Sequence, residues 1–341
     1  MWWDITYIWF DANHQFRSKV RRENLESIVL NLSEVPIWNY DGSSTGQADI
    51  NNSEITLTPY KVYQSQPEMI AWVLCSMSRF DSELDSDTVL PESIYDSLTS
   101  EIINGINTSG MKLGFEQEFY IFDSDTRYAV DYSTKPLLHN VGTYYCSVGN
   151  SGNGFIEKYI KLIYERACEL GVHCSGWNTE VAPAQGEIQV CTGAITACHD
   201  LIFLRYLMWI ILAEYNLYPV FHPKPLGPMW SGSGLHTNVS TTDTMNDGGY
   251  DIITQIMDRL TSKHAEHIDV YGKDNHLRLT GGHETSTINT FNWKVASRAV
   301  SVRIPTSTYK NRKGYFEDRR PGANANPYEI CLRMWATING S

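Results

Sequence analysis

The most informative hydrophobic run in the chain is Lys112-Leu-Gly-Phe-Glu-Gln-Glu-Phe-Tyr-Ile-Phe122, closed by Asp123. Its aromatic and β-branched residues read as a strand. Side chains alternate between faces along a strand, so Glu116 and Glu118 share one face. Two like charges about 4 Å apart repel by roughly 4 kcal/mol at an effective dielectric of about 20. A strand this apolar is not expected to carry such a pair unless something positive lies between them. The ordinary alternative is an edge strand with a solvated acidic face, and further carboxylates in similar settings downstream decide against it.

The same pattern places the other elements. Residues 5–65 read as a small β-rich unit, with Ile5 to Phe10 as a strand, Asp11 to Asn13 as its turn and Arg17 to Arg22 as the return. Trp38-Asn-Tyr-Asp-Gly-Ser-Ser-Thr-Gly46 is rich in turn formers and reads as a loop. The acidic stretch Asp81 to Asp87 is a candidate domain boundary, and Pro91 can open a helix running to about Asn104. A long irregular stretch, 123–153, follows; loops of that length inside a compact domain are usually functional. Phe155 to Leu170 is amphipathic, with Ile156, Tyr159, Ile160, Ile163 and Ala167 on one stripe and Gly171 as its cap. Trp177 to Val190 gives two short strands, and Leu201 to Tyr215 a buried helix. Tyr218 to His222, Leu235 to Ser240 and Ser297 to Ile304 read as strands, Ile252 to His264 and Pro327 to Trp335 as helices. Strands and helices mix without a regular βαβ period, so an α+β fold is expected rather than a doubly wound sheet. At 341 residues two domains are expected, divided as 1–86 and 87–341.

Composition narrows the function. A net charge of −12 argues against a nucleic-acid partner or an anionic membrane surface, so an anionic substrate would need local cations or a metal. The seven cysteines form no Cys-x-x-Cys pair, which fits reduced thiols in a cytoplasmic protein better than a zinc knuckle or a disulfide framework. The opening residues lack a signal-peptide pattern. The greasiest segment, Leu201 to Leu212, is too short to span a bilayer and contains Arg205.

Carboxylates recur in apolar or glycine-rich settings: Glu180, Glu187, Glu284 and Glu317, with His236 approached through Gly232-Ser-Gly234. Taken singly, each Glu is more often a surface residue and the His a satisfied core residue. Together they are hard to explain as surface. Hard oxygen ligands with one imidazole suit Mg²⁺ or Mn²⁺ rather than zinc. Arg278, Arg298, Arg303, Arg319 and Arg320 are bunched late in the chain, and guanidinium groups grip carboxylates and phosphates in pairs of parallel bonds. Acidic metal ligands with several arginines are the inventory of metal-dependent phosphoryl or acyl transfer. No P-loop is present.

Six motifs carrying these residues resemble the glutamine synthetase family, specifically its type II, eukaryotic-like enzymes. They are Trp38 to Thr45, Gly114-Phe-Glu-Gln-Glu118, Asn178 to Gln185, Gly234-Leu-His-Thr-Asn238, Arg278 to Glu284 and Gly314 to Pro321, in the family's order. The resemblance implies a small N-terminal β-grasp domain and a larger C-terminal catalytic domain built on a curved antiparallel sheet with flanking helices. It implies a glutamate–ammonia ligase working on glutamate, ammonium and ATP, with two or three Mg²⁺ or Mn²⁺ ions per site. It also implies a homo-oligomer of two stacked rings, a decamer, with active sites between neighbouring subunits. By the family's pattern Glu118, Glu180 and Glu187 hold one metal, and Glu116, His236 and Glu317 the second. Arg278 and Arg319 bind glutamate and the transferring phosphoryl group, with Ser231 and Gly232 in the glutamate loop. Arg298 and Arg303 contact phosphates, and Asn238, Ser240 and Tyr315 lie near the nucleotide. Asp41, supplied by the neighbouring subunit with Ser44 beside it, accepts the proton of ammonium while Glu284 closes the pocket.

The chain also departs from that pattern. It opens close to the first strand, where the family usually has a further segment, so contacts between rings are expected to differ. Ser231 replaces an Asn, Gly186 a bulky aromatic, and Lys112 stands where a Trp often flanks the nucleotide. Lys294 and Ser297 break the usual Gly and Asn before Arg298. All six metal ligands remain, so activity is expected, with weakened glutamate binding. Two alternatives stay open: a γ-glutamyl ligase using another amine, and a non-catalytic family member.

Overall fold

The computed structural model describes residues 1–81, 85–130 and 142–340. Its contacts divide the chain into two compact units, Met1–Ser100 with Glu169–Gly171, and Glu101–Cys168 with Val172–Ser341.

The first unit holds strands β1 (Trp2–Phe10), β2 (Phe16–Asn24), β3 (Trp38–Asp41), β4 (Glu54–Ser65), β5 (Ile70–Asp81) and β6 (Ser86–Val89). They form one sheet in the order β2-β1-β5-β4-β3, with β6 on β5; the central pair β1–β5 is parallel and the rest antiparallel. Alternation builds its core. Trp3, Ile5, Tyr7 and Trp9 of β1 pack with Ala71, Val73, Cys75 and Met77 of β5 and with Ile55 and Leu57 of β4. Two expectations are corrected here. The first four residues of the Trp38 motif are strand β3, paired along β4 from Trp38↔Leu57 to Asp41↔Glu54, and the turn begins at Gly42. No helix begins at Pro91, because Ser93 Oγ accepts the Met77 backbone N–H at 2.8 Å and ties this segment to β5.

In the second unit, helix α1 (Ser100–Thr108) precedes strand β7 (Lys112–Asp123). Of the long irregular stretch, 131–141 lies outside the described residues; the described remainder contributes one bridge, Phe122↔Ala129. There follow α2 (Glu157–Glu169), β8 (Cys174–Thr179), β9 (Gln185–Gly193), α3 (Ala194–Ala213), β10 (Leu217–Val220) and β11 (Leu235–Ser240). The chain continues with α4 (Thr242–Met245), α5 (Gly249–Ser262), α6 (His264–Val270), β12 (Trp293–Val295), β13 (Val302–Ile304), α7 (Thr306–Asn311), β14 (Phe316–Asp318) and α8 (Pro327–Asn339). The sheet runs β12-β13-β14-β11-β7-β9-β8, with β10 on β7, and is antiparallel apart from the β12–β13 pair. The expected strand over 297–304 shrinks to β13, because Ala296 takes a left-handed φ of 59° and Ser301 N–H goes to Asn292 Oδ1 at 2.8 Å.

Strand β7 is the middle of this sheet. Its odd positions Phe115, Gln117, Phe119 and Ile121 are fully buried. Helix α3 packs on β7 and β9. It begins seven residues earlier than the sequence suggests, and among the described helices it is the one long and apolar enough to cross a membrane. Most of it is buried, including Asp200 and Arg205. Arg205 donates to Gln117 Oε1 at 2.7 Å and to the carbonyls of Ala323 and Ala325 at 2.8 and 3.0 Å, which fixes the chain just after β14.

A second buried network anchors β14 from below. Asp318 and Arg320 pair at 2.7 Å, both essentially unexposed. Tyr271 donates to Asp318 at 2.7 Å, and its hydroxyl meets His267 Nδ1 at 2.6 Å, while His267 Nε2 reaches Thr337 at 2.8 Å. Burial opposes ionisation of Asp318, yet the charge and hydrogen bonds of Arg320 hold its carboxyl below the usual range. A carboxyl lowered in the folded state contributes stability that is complete above its unfolded pKa and is lost as pH falls through the folded one. Removing one partner of a buried pair leaves an uncompensated charge, so Asp318→Ala should cost about 3–5 kcal/mol at neutral pH. Urea unfolding checks this, and the deficit should shrink as the pH drops below the normal carboxylate range.

Candidate active site

The register of the large sheet assembles the site. On β7, Glu118 lies opposite Glu187 of β9, and Glu116 lies opposite Gln189 of β9 and His236 of β11. Farther along, Asn238 of β11 lies opposite Glu317 of β14, and Glu317 opposite Arg303 of β13. Cross-strand partners share a face, so all these side chains project to the side away from α3. All of them but Asn238 line a cleft of about 360 Å³, together with Glu180, Ser231, Gly232, Arg278, Glu284, Arg298 and Arg319.

Two groups of ligand atoms converge there. One oxygen each of Glu118, Glu180 and Glu187 lies within 4.8 Å of the others, and so do ligand atoms of Glu116, Glu187 and His236. Glu317 stands beside the second group, its Oε1 3.7 Å from His236 Nδ1, while Arg319 holds the same carboxylate at 2.7 Å and Arg303 bonds its other oxygen. Burial, and then the charge of Glu180, pushes Glu118 up to about 8. Burial likewise pushes Glu180 up to about 7, and holds Glu187 well above the carboxylate range with help from Glu116, Glu180 and Glu118. Burial, and then the Arg319 charge, keeps His236 a neutral imidazole. Oxygen-rich donors with one neutral imidazole and an excess of negative charge fit Mg²⁺ or Mn²⁺.

Neutral donors aim the carboxylates. Asn178 donates to Glu180 at 2.9 Å, Gln189 to Glu187 at 2.7 Å, Asn238 to Glu116 at 2.8 Å and the Gly234 N–H to Glu118 at 2.7 Å. The turn carrying Glu180 is organised by Asn153, fully buried, which donates to the carbonyls of Glu180 and Ala182 and accepts from the Ala184 N–H at 2.7 Å. Gln189 and Asn153 were missed in the sequence. The two-residue step from Glu187 would have found Gln189; Asn153 lies in a loop with no comparable signal.

Arg278 is buried, donating to the carbonyls of Arg319 and Arg320 and lying 3.1 Å from His236 Nε2. The glycines before His236 make room for it: a Cβ at Gly234 would sit 2.4 Å from Arg278 Nη2, and one at Gly232 2.8 Å from its Cγ. Glu284 is half exposed at a left-handed φ of 60°, with its carboxylate 3.7 Å from Arg298 and 4.0 Å from Arg319. Tyr315 lies near Arg303, Glu116 and Glu317, and its backbone carbonyl accepts from Thr308 Oγ1 at 2.9 Å. Ser240 lies opposite Lys112, four residues along β7 from Glu116.

Asp41 and Ser44 belong to the first unit. Asp41 ends β3 and accepts from Ser43 Oγ and Ser44 Oγ, both at 2.7 Å. Those donors hold its exposed carboxyl down to about 2, so it is a fixed anion at any working pH.

Residues 100–267 match the family described as glutamine synthetase, catalytic domain. The chain is 40% identical to a glutamine-synthetase-like protein of Acanthamoeba polyphaga mimivirus, across 98% of this chain and 93% of that protein. The chain belongs to the glutamine synthetase family. It is also 36% identical to the glutamine synthetase of Saccharomyces cerevisiae, over 98% of this chain and 89% of that protein. The fold agrees: the Plasmodium falciparum glutamine synthetase superposes with a TM-score of 0.73 at 16% identity, covering 99% of this chain and 71% of that one.

A glutamine synthetase cleft with carboxyls raised this far must lose protons when a cation binds. Mn²⁺ affinity should therefore rise from pH 6 to pH 8, with proton release visible as a buffer-dependent heat in calorimetry. Glu187→Ala should weaken binding by more than about tenfold, since it removes a ligand shared by both groups. A pH-independent affinity would refute the cluster as the metal centre.

Proposed function

We propose that this protein is a glutamate–ammonia ligase, making glutamine through a γ-glutamyl phosphate. The observation that carries the reading is the carboxylate cluster and the arginines meeting in one cleft, in a chain of this family. A carboxylate is a poor electrophile, so the γ-carboxylate of glutamate must first take the γ-phosphoryl group of ATP, releasing ADP. Two or three divalent ions, held by Glu118, Glu180, Glu187, Glu116, His236 and Glu317, would supply charge neutralisation for the phosphates. Arg319 and Arg298 stabilise the charge that builds on the phosphoryl group, and Arg303 binds nucleotide phosphate. Arg278, with Ser231 and Gly232 beside it, positions glutamate. Asn238, Ser240 and Tyr315 border the nucleotide.

Ammonia then attacks the acyl phosphate, releasing phosphate. Most ammonia is ammonium at neutral pH, so an anion must bind it and accept a proton. Asp41, held ionised by Ser43 and Ser44, suits the binding of a small cation, and Glu284 closes the pocket. That choice favours ammonium over a bulkier amine, and the complete donor set argues against a non-catalytic protein. We place the enzyme in the cytoplasm as a homo-oligomer of two stacked rings. A Pinus sylvestris relative, 35% identical, is named a cytosolic isozyme, which supports the location.

Phosphate release should require ATP, glutamate, ammonium and Mg²⁺ or Mn²⁺ together, with methylammonium a poor replacement for ammonium. Release that does not need glutamate, or that prefers the larger amine, would overturn the reading.

The ring assembly gives a second test. If Asp41 acts in a neighbour's site, Asp41→Ala and Glu187→Ala damage different halves of one composite site. Each variant alone should be inactive. Dissociated and reassembled together in equal amounts, they should recover roughly a quarter of sites, because each half is intact half the time around head-to-tail contacts. Mixing without dissociation should recover nothing. Dead mixed rings, alongside wild type that survives the same treatment, would mean Asp41 is not supplied in trans.

A further inference from the structure

Of the three carboxylates that converge as the first group, Glu118 and Glu187 are fixed by the cross-strand pairing of β7 with β9. Glu180 is not on a strand. It follows Thr179, the last residue of β8, and opens the turn that enters β9 at Gln185. Its carboxylate is held by its own neighbours, the Asn178 amide at 2.9 Å and the Val181 N–H at 3.1 Å. Where those oxygens stand therefore depends on what fixes the turn.

Part of the hold is internal: the Glu180 N–H bonds the Gln185 carbonyl at 2.8 Å, and the Gln185 N–H bonds the Ala182 carbonyl at 3.2 Å. The rest comes from Asn153, which is fully buried. Its amide nitrogen donates to the carbonyls of Glu180 at 2.8 Å and Ala182 at 2.7 Å, and lies 3.3 Å from that of Gln185. Its amide oxygen accepts the Ala184 N–H at 2.7 Å. A backbone N–H only donates and a carbonyl only accepts, so one orientation of the amide satisfies them all. Ala184 sits at a left-handed φ of 57°, which a residue with a Cβ rarely adopts unless its surroundings impose it. Asn153 is braced in turn. Its backbone N–H goes to Ser147 Oγ at 2.6 Å, and that hydroxyl donates to the Tyr144 carbonyl at 2.9 Å. The Cys146 N–H bonds the carbonyl of Thr179, the residue before Glu180, at 3.1 Å. The loop 144–153 is thus tied to the chain on both sides of Glu180.

We propose that Asn153 is a positioning residue of the cation centre: through the turn it places Glu180, and so sets the affinity of the site formed by Glu118, Glu180 and Glu187. The inference rests on the reading of these carboxylates as metal ligands. Glu180 is absent from the other group, Glu116, Glu187 and His236, so the effect falls on one of two cations. An amide that merely supported the fold would not distinguish them.

The test is Mn²⁺ titration of the native full-length protein by calorimetry, resolved into two sites, with urea unfolding as the check that each variant is folded. Asn153→Ala should weaken one site by about ten- to a hundredfold and leave the other near its wild-type affinity. Ser147→Ala keeps the buried amide but removes the acceptor for its backbone N–H, and should weaken the same site by a smaller factor. In a Glu180→Ala background, Asn153→Ala should cause no further loss at that site, because the two substitutions act on one ligand. Equal weakening of both sites, unchanged affinity in the folded variants, or a further loss in the Glu180→Ala background would each overturn the proposal. Should Asn153→Ala fail to fold, Ser147→Ala decides. Wild-type protein that binds no Mn²⁺ would overturn the metal reading and this inference together. Two wild-type sites left unmoved by Asn153→Ala would overturn the inference alone.

Discussion

Like charges crowded on one face of a sheet dominate the second unit. Glu118 and Glu187 stand directly across from each other, and Glu116 is two residues along the same strand. At such spacing in a half-closed cleft, repulsion and desolvation act together, which is why burial leads every upward shift in this group. The innermost carboxylates receive neutral donors: the amides of Asn178, Gln189 and Asn238 and one backbone N–H. The close guanidinium contacts go to Glu317, with Glu284 at longer range. Amides aim an oxygen without neutralising it, so the charge is left for a divalent cation, while the arginines are placed for a second anion.

Such a cluster requires a rigid support, because a carboxylate free to swing away would relieve the repulsion and lose the geometry. The support lies on the other side of the same strands. In Glu317-Asp-Arg-Arg320 the two-residue period of a strand sorts the four charges. Glu317 and Arg319 face the cleft and pair there; Asp318 and Arg320 face the core and pair there. Gln117, between the two glutamates of β7, points to the core and meets Arg205. Each motif therefore carries the functional side chains and their anchor in alternate positions.

The strand period made much of the site legible. It put Glu116 and Glu118 on one face before any pairing was known, and the residue types already pointed to a hard cation. Pairing was not legible, because nothing local to Glu187 says that Glu118 will be its cross-strand partner. Asn153 was hidden for a similar reason: its work is done on a turn some thirty residues away. Short elements went astray where a tertiary hydrogen bond overrode local preference, as with Ser93 bonded to Met77 of β5 and Asn292 at Ser301. Helix α3 was read too short because its first turns carry His199 and Asp200, polar residues that the fold nonetheless buries.

Three positions that depart from the resemblance, Gly186, Ser231 and Lys112, fall where this electrostatic constraint is weak. Gly186 faces away from the cleft, and a Cβ there would sit 2.4 Å from Ile160 Cδ1, so α2 already fills the space a large side chain would need. Ser231 lies in a loop whose backbone is held independently of its side chain, since Tyr120 donates to the Ser231 carbonyl at 2.7 Å. Lys112 is exposed at the start of β7, opposite Ser240 and Gly193, with side-chain-free Gly114 between it and Glu116. None of these three touches the oxygens that converge in the cleft. Changes at Ser231 and Lys112 can therefore be made while the charge geometry of the centre stays intact.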